Sequence, residues 1–383
     1  MENKEKLFLI SPMLHQGGFE RVCVTTARLL ENEFDITVVI FDDADIAYDI
    51  EDLKIVNMNC PVKDSVLGKV LNSLKRSRRL KRLKKIEKPA ICYSFGLTAN
   101  LVNCLSVVPG VRTWTGLRSY GDVYSTRYIK LFMKKSDLVV CCAKEIEKEL
   151  ATKYDFHKTA TLYNLYDLDL IRSEALKPIE NWPFVNDTDE SGKKLRYLIS
   201  MGRDDDSKGF WHMIKAFYHV NKAIPETRLI ILGDGTFNES ITLATKLGIR
   251  DNIYFVGMCR EPYKYLKKAE IYLLTSCVEG FPNALVEGMS LGLASVATDC
   301  LSGPREILAP ENSKCYGILI SNMSSEKNYD SDEITEEKAY ADAVIRLLTD
   351  DSALKKYQEL ALRRAADFSY ESYKERFIEL TKL

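Results

Sequence analysis

Two carboxylates, Glu279 and Glu287, stand either side of a break between an apolar strand, IYLLT, and a helix that restarts at Phe281-Pro282-Asn283. The N–H groups of that first helical turn, on Asn283, Ala284 and Leu285, have no carbonyl beneath them. The positive end of the helix dipole adds to their field, so the turn makes a seat for an anion such as phosphate. Proline loses nothing in the first turn, which is where Pro282 is expected. One acid lies at the mouth of the turn and the other about one and a half turns into the helix. That arrangement suits a long phosphorylated ligand, with Glu287 near a ribose and Glu279 beyond the phosphates. Taken alone, a strand–turn–helix with solvated acids would show the same spacing.

A second constellation is RDDDSKG, between the strand RYLISMG and the helix WHMIKAFYHVNKA. Arg203 offers a bidentate fork and Lys208 a point charge, which together suit a diphosphate. The acids between them, Asp204, Asp205 and Asp206, are the type that hard cations want. The flanking cations already supply positive charge there, so a capping, solvated turn is expected and no metal ligand is assigned. Near the start, a buried strand, KLFLI, leads through SPMLHQGG into the helix FERVCVTTARLLEN. Gly17 and Gly18 let the backbone approach a ligand without a Cβ in the way. No G-x-G-x-x-G follows, so a dinucleotide site is poorly supported. Of the chain's 4 histidines, His15 in this loop is the one placed to reach a site; a loop histidine without a role is the simpler reading.

The elements that must position these residues alternate in type. DITVVIF, LKIVNM, AICYSF, VRTWTGL, DLVVCC and KTATLYN are strand-like and helical stretches separate them, a pattern that predicts parallel sheets covered by helices on both faces. Ligands in such sheets sit beyond the carboxyl ends of the strands, which draws attention to 94–96, to Gly116-Leu117-Arg118-Ser119 and to Asn164. A chain of 383 residues is long for one core. The expected organisation is an N-terminal domain over 1–177, a polar linker over 178–194, a C-terminal domain over 195–365, and a last helix over 366–383.

Composition excludes several classes. The formal net charge is -1, which argues against a nucleic-acid binder, and no apolar run approaches the ~20 residues that span a bilayer. The opening MENKEKLFLIS enters a strand directly, which fits a cytoplasmic protein. The 10 cysteines are scattered and form no C-x-x-C, as expected of reduced, buried thiols. A helix over about 66–88 is dense in lysine and arginine with leucines interleaved. A solvated face is its plain reading, and attraction to an anionic membrane surface is the sharper one.

In company these motifs resemble the family 4 glycosyltransferases of the GT-B fold. Glu279 to Glu287 matches their E-x7-E signature, Gly17-Gly18-x-Glu20 their glycine loop, and Arg203…Lys208-Gly209 their G-R-x…K-G motif. The run TDCLSGPREI at 298–307 is similar to members that build bacterial surface polysaccharides. The resemblance implies two Rossmann-like domains facing a central cleft, and a retaining hexosyl transfer from a nucleotide sugar, a UDP-sugar in particular. No metal or other cofactor is implied. Arg203 and Lys208 would bind the diphosphate and Glu279 a sugar hydroxyl. Glu287 would hold the ribose, and Gly257 and Met258 would lie beside the nucleobase. Gly17 and Gly18 would face the phosphates, as would the turn Phe281 to Leu285. The acceptor, a glycan or polyprenyl-diphosphate-linked chain, would meet His15, Glu20, Arg118 and Asn164. Many relatives carry a histidine where this chain has Arg118. A UDP-sugar epimerase or phosphorylase on the same fold, or a silent glycan- or nucleotide-binding protein, are the alternatives.

Overall fold

The computed structural model describes residues 4–383 apart from Gln16, Asn181, Val185, Asn186, Glu190, 311–313, Ser331 and Glu333. The chain forms two compact units, Met1–Leu165 with Tyr370–Leu383, and Tyr166–Ser369.

The first unit is built on strands β1 (Lys6–Ser11), β2 (Asp35–Ile40), β3 (Ile55–Asn57), β4 (Ile91–Phe95), β5 (Arg112–Leu117), β6 (Leu138–Cys141) and β7 (Thr159–Thr161). They pair in parallel in the order β3-β2-β1-β4-β5-β6-β7. Short apolar runs such as LFLI are buried on both faces of the sheet, which is why they do not alternate with polar residues. The last helix, Tyr370–Thr381, completes this core. Phe377 packs among Phe34, Tyr93 and Trp114; the Thr26 and Tyr373 hydroxyls lie 2.8 Å apart; and Arg112 donates to the Thr381 carbonyl at 2.7 Å. The basic helix runs Val66–Glu87, with the Ser65 hydroxyl capping it by accepting from Gly68 N–H. Two of its cations, Arg76 and Lys84, are buried, and a third, Arg79, stays exposed while bonding back to the protein. Arg76 and Arg79 donate to carbonyls of 58–60, and Lys84, fully buried, donates to Asn103 at 2.6 Å. Burial holds the Lys84 ammonium below its ordinary pKa.

The second unit repeats the plan with β8 (Arg196–Met201), β9 (Thr227–Leu232), β10 (Ile253–Gly257), β11 (Ile271–Leu274), β12 (Ala294–Thr298) and β13 (Ile318–Ile320), parallel in the order β10-β9-β8-β11-β12-β13. Among the described residues, the stretch expected to be a linker lies inside this unit. Its polar composition conceals two anchors: Trp182 and Phe184 pack against Tyr197 and Tyr254, and Asp187 accepts from the Trp182 indole and the Tyr197 hydroxyl. The unit also begins earlier than expected, at Tyr166, because helix Leu168–Glu174 packs on helices Asn283–Ser290 and Tyr263–Leu266.

In each sheet the order reverses once, between β1 and β4 and between β8 and β11. A crevice opens at the carboxyl ends of such strand pairs, and ligands of doubly wound sheets lie there.

Candidate functional site

The reversal in the second unit gathers the residues singled out by spacing. β8 runs into Gly202 and Arg203, and a 3-10 turn over Asp206–Lys208 follows. β11 runs into 275–279. Lys208 Nζ and Glu279 Oε1 meet at 2.7 Å, with side chains 23% and 10% exposed. The Ser276 hydroxyl donates to the same Oε1 at 2.7 Å.

The two loops are tied together by a threonine hydroxyl and a backbone bond. Thr275 Oγ1 lies 3.2 Å and 3.0 Å from the carbonyls of Lys208 and Gly209, and Cys277 N–H donates to Ser207 O at 2.8 Å. Gly209 is left-handed (φ 59°), and a Cβ there would strike the Thr275 carbonyl, so this position needs glycine on both counts. The run 298–303 buttresses the other side. Thr298 Oγ1 donates to Ser276 O at 2.6 Å, Ser302 Oγ to Gly280 O at 2.8 Å, and Leu301 O accepts from Glu279 N–H at 2.8 Å.

Arg203 is exposed and, among the described residues, forms no ion pair. The neighbouring acids are each occupied. Asp204 accepts from Phe237 N–H at 2.7 Å, Asp205 caps the 3-10 turn, and Asp206 pairs with Lys327 at 3.1 Å. The hydroxyl and N–H of Ser207 hold the Asp205 carboxyl below its ordinary pKa.

Helix Asn283–Ser290 begins one position later than expected, with Pro282 as its N-cap (φ -72°, ψ 93°). Leu285 N–H also departs from the expected anion seat, because it donates to Pro282 O at 3.1 Å. A tight i→i+3 bond of this kind satisfies one terminal donor and narrows the seat to the amides ahead of it. Asn283 Oδ1 accepts from the Tyr166 hydroxyl at 2.6 Å. The Phe281 ring lies edge-on to Phe368 at 5.3 Å and anchors the loop. Glu287 is 4% exposed. Burial, the Met201 backbone and the charges of Glu287 and Glu279 bear on the Tyr272 phenol, and the net effect is a pKa well above the ordinary value. Gly257 closes β10 at φ 77° and its carbonyl accepts from Gly233 N–H at 3.0 Å, with Met258 exposed beside it.

At the reversal in the first unit, Gly17 caps helix Gly18–Leu30 with extended backbone. A Cβ on Gly17 would land on the Glu20 carboxylate, so the glycine makes room for a side chain of its own helix. Gly17 N–H donates to the Tyr48 hydroxyl at 3.1 Å, and that hydroxyl donates to Gly17 O at 2.8 Å. The Gly17 amide is therefore engaged within the unit by the Tyr48 hydroxyl. Of the pair, Gly18 supplies the first amide of the helix. His15 Nε2 lies 3.0 Å from the Ala44 carbonyl. Arg118, just past β5, donates to Asn164 Oδ1 at 3.0 Å and to the Tyr93 hydroxyl at 3.1 Å, and its guanidinium lies 4.9 Å from the Phe95 ring centre. Asp122 accepts from the Arg118 backbone N–H, not its guanidinium. Burial works against this charge, but the tyrosine and cysteine groups around it, Tyr93 foremost, carry its pKa above the ordinary value.

Arg118 and Asn164 are thus brought together, as are Lys208 and Glu279. Tyr93, Tyr48, Ser276 and Tyr166 were not anticipated. Tyr93 sits in ICYSF, where an aromatic in a buried strand looks like core, and nothing in the sequence marks its hydroxyl.

Residues 16–170 match the family model of glycosyltransferase family 4, and residues 184–364 match that of glycosyl transferases group 1. An uncharacterized glycosyltransferase of Methanocaldococcus jannaschii is 34% identical over 259 residues, a match that spans 63% of this chain and 62% of the relative. The N-acetylgalactosamine-N,N'-diacetylbacillosaminyl-diphospho-undecaprenol 4-alpha-N-acetylgalactosaminyltransferase of Campylobacter jejuni is 26% identical over 383 residues, covering 95% of this chain and 96% of that one. The solved structure of Anabaena HepE in complex with UDP and glucose shares the fold, with a TM-score of 0.77 at 16% identity over 99% of both chains.

Proposed function

Because the chain belongs to glycosyltransferase family 4 and has the GT-B fold, we propose that it transfers a hexose or N-acetylhexosamine from a UDP-sugar to a hydroxyl of a lipid-linked glycan in surface-polysaccharide assembly. The observation that carries this reading is the Lys208–Glu279 pair at the carboxyl edge of the second sheet, beside exposed Arg203 and the tip of helix Asn283–Ser290. The hard part of the reaction is departure of the nucleoside diphosphate, which builds negative charge on the β-phosphate. Arg203, Lys208 and the helix tip supply the opposing charge. A bound diphosphate takes Lys208 from Glu279, and the freed carboxylate then accepts from a sugar hydroxyl near the developing oxocarbenium. No metal is needed in this scheme. Glu287, buried in the same helix, holds the ribose.

The transfer retains anomeric configuration by front-side attack. The bond from the anomeric carbon to the phosphate oxygen breaks, the bond to the acceptor oxygen forms on the same face, and the departing phosphate takes the acceptor proton. The alpha linkage in the Campylobacter relative's name supports retention from an alpha-linked donor, and the diphospho-undecaprenol in that name supports a lipid-linked acceptor. The UDP held by the Anabaena neighbour supports the nucleotide. No helix of the described residues is long and apolar enough to cross a membrane. In this reading the lipid-linked acceptor is met by peripheral contact at the inner membrane face.

A panel of radiolabelled nucleotide sugars tests the reading without knowledge of the acceptor. Slow acceptor-independent hydrolysis of one UDP-sugar, releasing the alpha anomer first, is expected. Turnover confined to other nucleotides, or release of sugar phosphate or a free epimer, would end it.

A further inference from the structure

Three helices of the first unit, Val66–Glu87, Leu97–Leu105 and Thr126–Lys135, lie side by side, the middle one packed on both others. Their sequences hold a single carboxylate, Glu87, which is paired with Lys6 at 2.7 Å. Every other charge in the layer is positive, in a chain of net charge -1. Arg76 and Lys84 are buried and Arg79 is tied to the carbonyls of 58 and 59; the remaining cations of the long helix are exposed, and Arg127, Lys130, Lys134 and Lys135 extend the positive surface along the third helix.

The long helix is divided along its length as well. Leu67, Leu71, Leu74, Arg78, Lys81 and Lys85 recur at steps of four and three, so they share one face. The leucines of that face are 70%, 57% and 43% exposed, and Val66 and Val70 beside them are 80% and 53% exposed. Its first half is therefore a bare aliphatic ridge and its second half a cationic one, along a helix about 33 Å long. Scattered exposed leucines are ordinary on a protein surface, but a contiguous ridge of them is not.

We propose that this helical layer docks on an anionic lipid membrane, with the ridge from Val66 to Leu74 entering the acyl boundary and Arg78, Lys81 and Lys85 resting on the head groups. The cations call for an anionic partner, the aliphatic ridge for one with an apolar interior, and a bilayer with acidic lipids has both. Nucleic acid satisfies only the first, and helix Val66–Glu87 carries no aromatic side chain on which a base could stack. The inference deepens the reading above by naming the surface that brings the enzyme to a lipid-linked acceptor. Binding to plain vesicles requires neither acceptor nor donor, so the two readings fail separately.

The test is co-sedimentation of the full chain with phosphatidylcholine vesicles, with and without phosphatidylglycerol. Binding only to the acidic vesicles is expected. Arg78→Gln, Lys81→Gln and Lys85→Gln together should weaken it about 100-fold at low salt, from roughly 1 kcal/mol per cation near the surface, and have little effect at high salt. Leu67→Ser, Leu71→Ser and Leu74→Ser together should weaken it by roughly tenfold or more at both salt levels. Unchanged thermal melting and donor hydrolysis would show that both variants fold. Failure of the natural chain to bind acidic vesicles would overturn the proposal, as would equal binding by all three proteins. So would a dimeric mass in solution that the serine variant abolishes, or stronger binding to nucleic acid than to vesicles.

Discussion

The two sheets reverse their strand order at equivalent places, yet they hold their charged residues in opposite ways. In the second unit a cation and a carboxylate compensate each other: Lys208 and Glu279 meet at 2.7 Å in a largely buried setting. In the first, Arg118 rests on neutral partners, an amide oxygen, a phenol and an aromatic ring, and among the described residues has no ion pair. A compensated pair is stable while empty and changes partners when a ligand brings charges of its own, because removing one member leaves the other buried and alone. An arginine on neutral partners keeps its full charge in every state. The first arrangement suits a group whose charge grows during reaction, and the second suits orientation of a substrate whose charge does not change.

The largest effect should come from breaking the compensated pair. Lys208→Met removes the cation and leaves Glu279 with only Ser276. It should lower kcat by about 10²- to 10³-fold, the range seen when one preorganised charge stabiliser is lost. Glu279→Gln keeps an oxygen for Ser276 and Lys208 to donate to, so it should cost less than the lysine change if geometry matters and as much if charge does. Steady-state kinetics beside thermal melts would separate loss of chemistry from loss of fold. A folded Lys208→Met variant within tenfold of the natural kcat would remove this pair from the chemistry.

Arg118 should give the intermediate effect. Arg118 is half-buried and its removal strands no buried counter-charge, so Arg118→Met, which keeps much of the side chain's bulk, separates packing from function. Acceptor KM is expected to rise about ten- to a hundredfold, corresponding to roughly 1.5–3 kcal/mol for charge-assisted hydrogen bonds, with donor hydrolysis unaltered. If donor hydrolysis falls instead, the arginine belongs to the donor side and the contrast between the sheets is lost.

The same contrast explains what the sequence made legible. The fold was readable because each strand is a short apolar run between helical stretches, and β1 through β7 all arise from runs that could be named in advance. In the second unit the pairing of Lys208 with Glu279 in the candidate site was legible as well, since Arg203 and Lys208 share one turn and Glu279 and Glu287 flank one helix start. In the first unit the strand-exit rule pointed to Arg118 and Asn164, but neither Tyr93, which lies inside β4, nor the Tyr48 bond to Gly17 leaves a local signature. Boundaries were harder still. Polar composition over 178–194 looked like a linker because two aromatic anchors, Trp182 and Phe184, weigh little in a polar average but decide where the stretch packs.

The smallest expected effect bears on how the second unit supplies its positive charge. Asp204, Asp205 and Asp206 would be the natural ligands if a divalent ion shared the work of Arg203 and Lys208. Their observed bonds run elsewhere, to Phe237 N–H, Ser207 N–H and Lys327. Asp205→Asn preserves an oxygen that accepts from Ser207 N–H while removing a potential metal ligand, so turnover should change by less than about twofold if the acid acts only as a cap, a contribution of a few tenths of a kcal/mol between good capping residues. Exhaustive treatment with a chelator, assayed on the donor-hydrolysis reaction, should leave the rate equally unmoved. A large loss on chelation, restored by magnesium or manganese and absent from Asp205→Asn, would mean that the compensated pair shares its task with an ion. The distinction drawn between the two sheets would then concern metal ligation more than the pairing of Lys208 with Glu279.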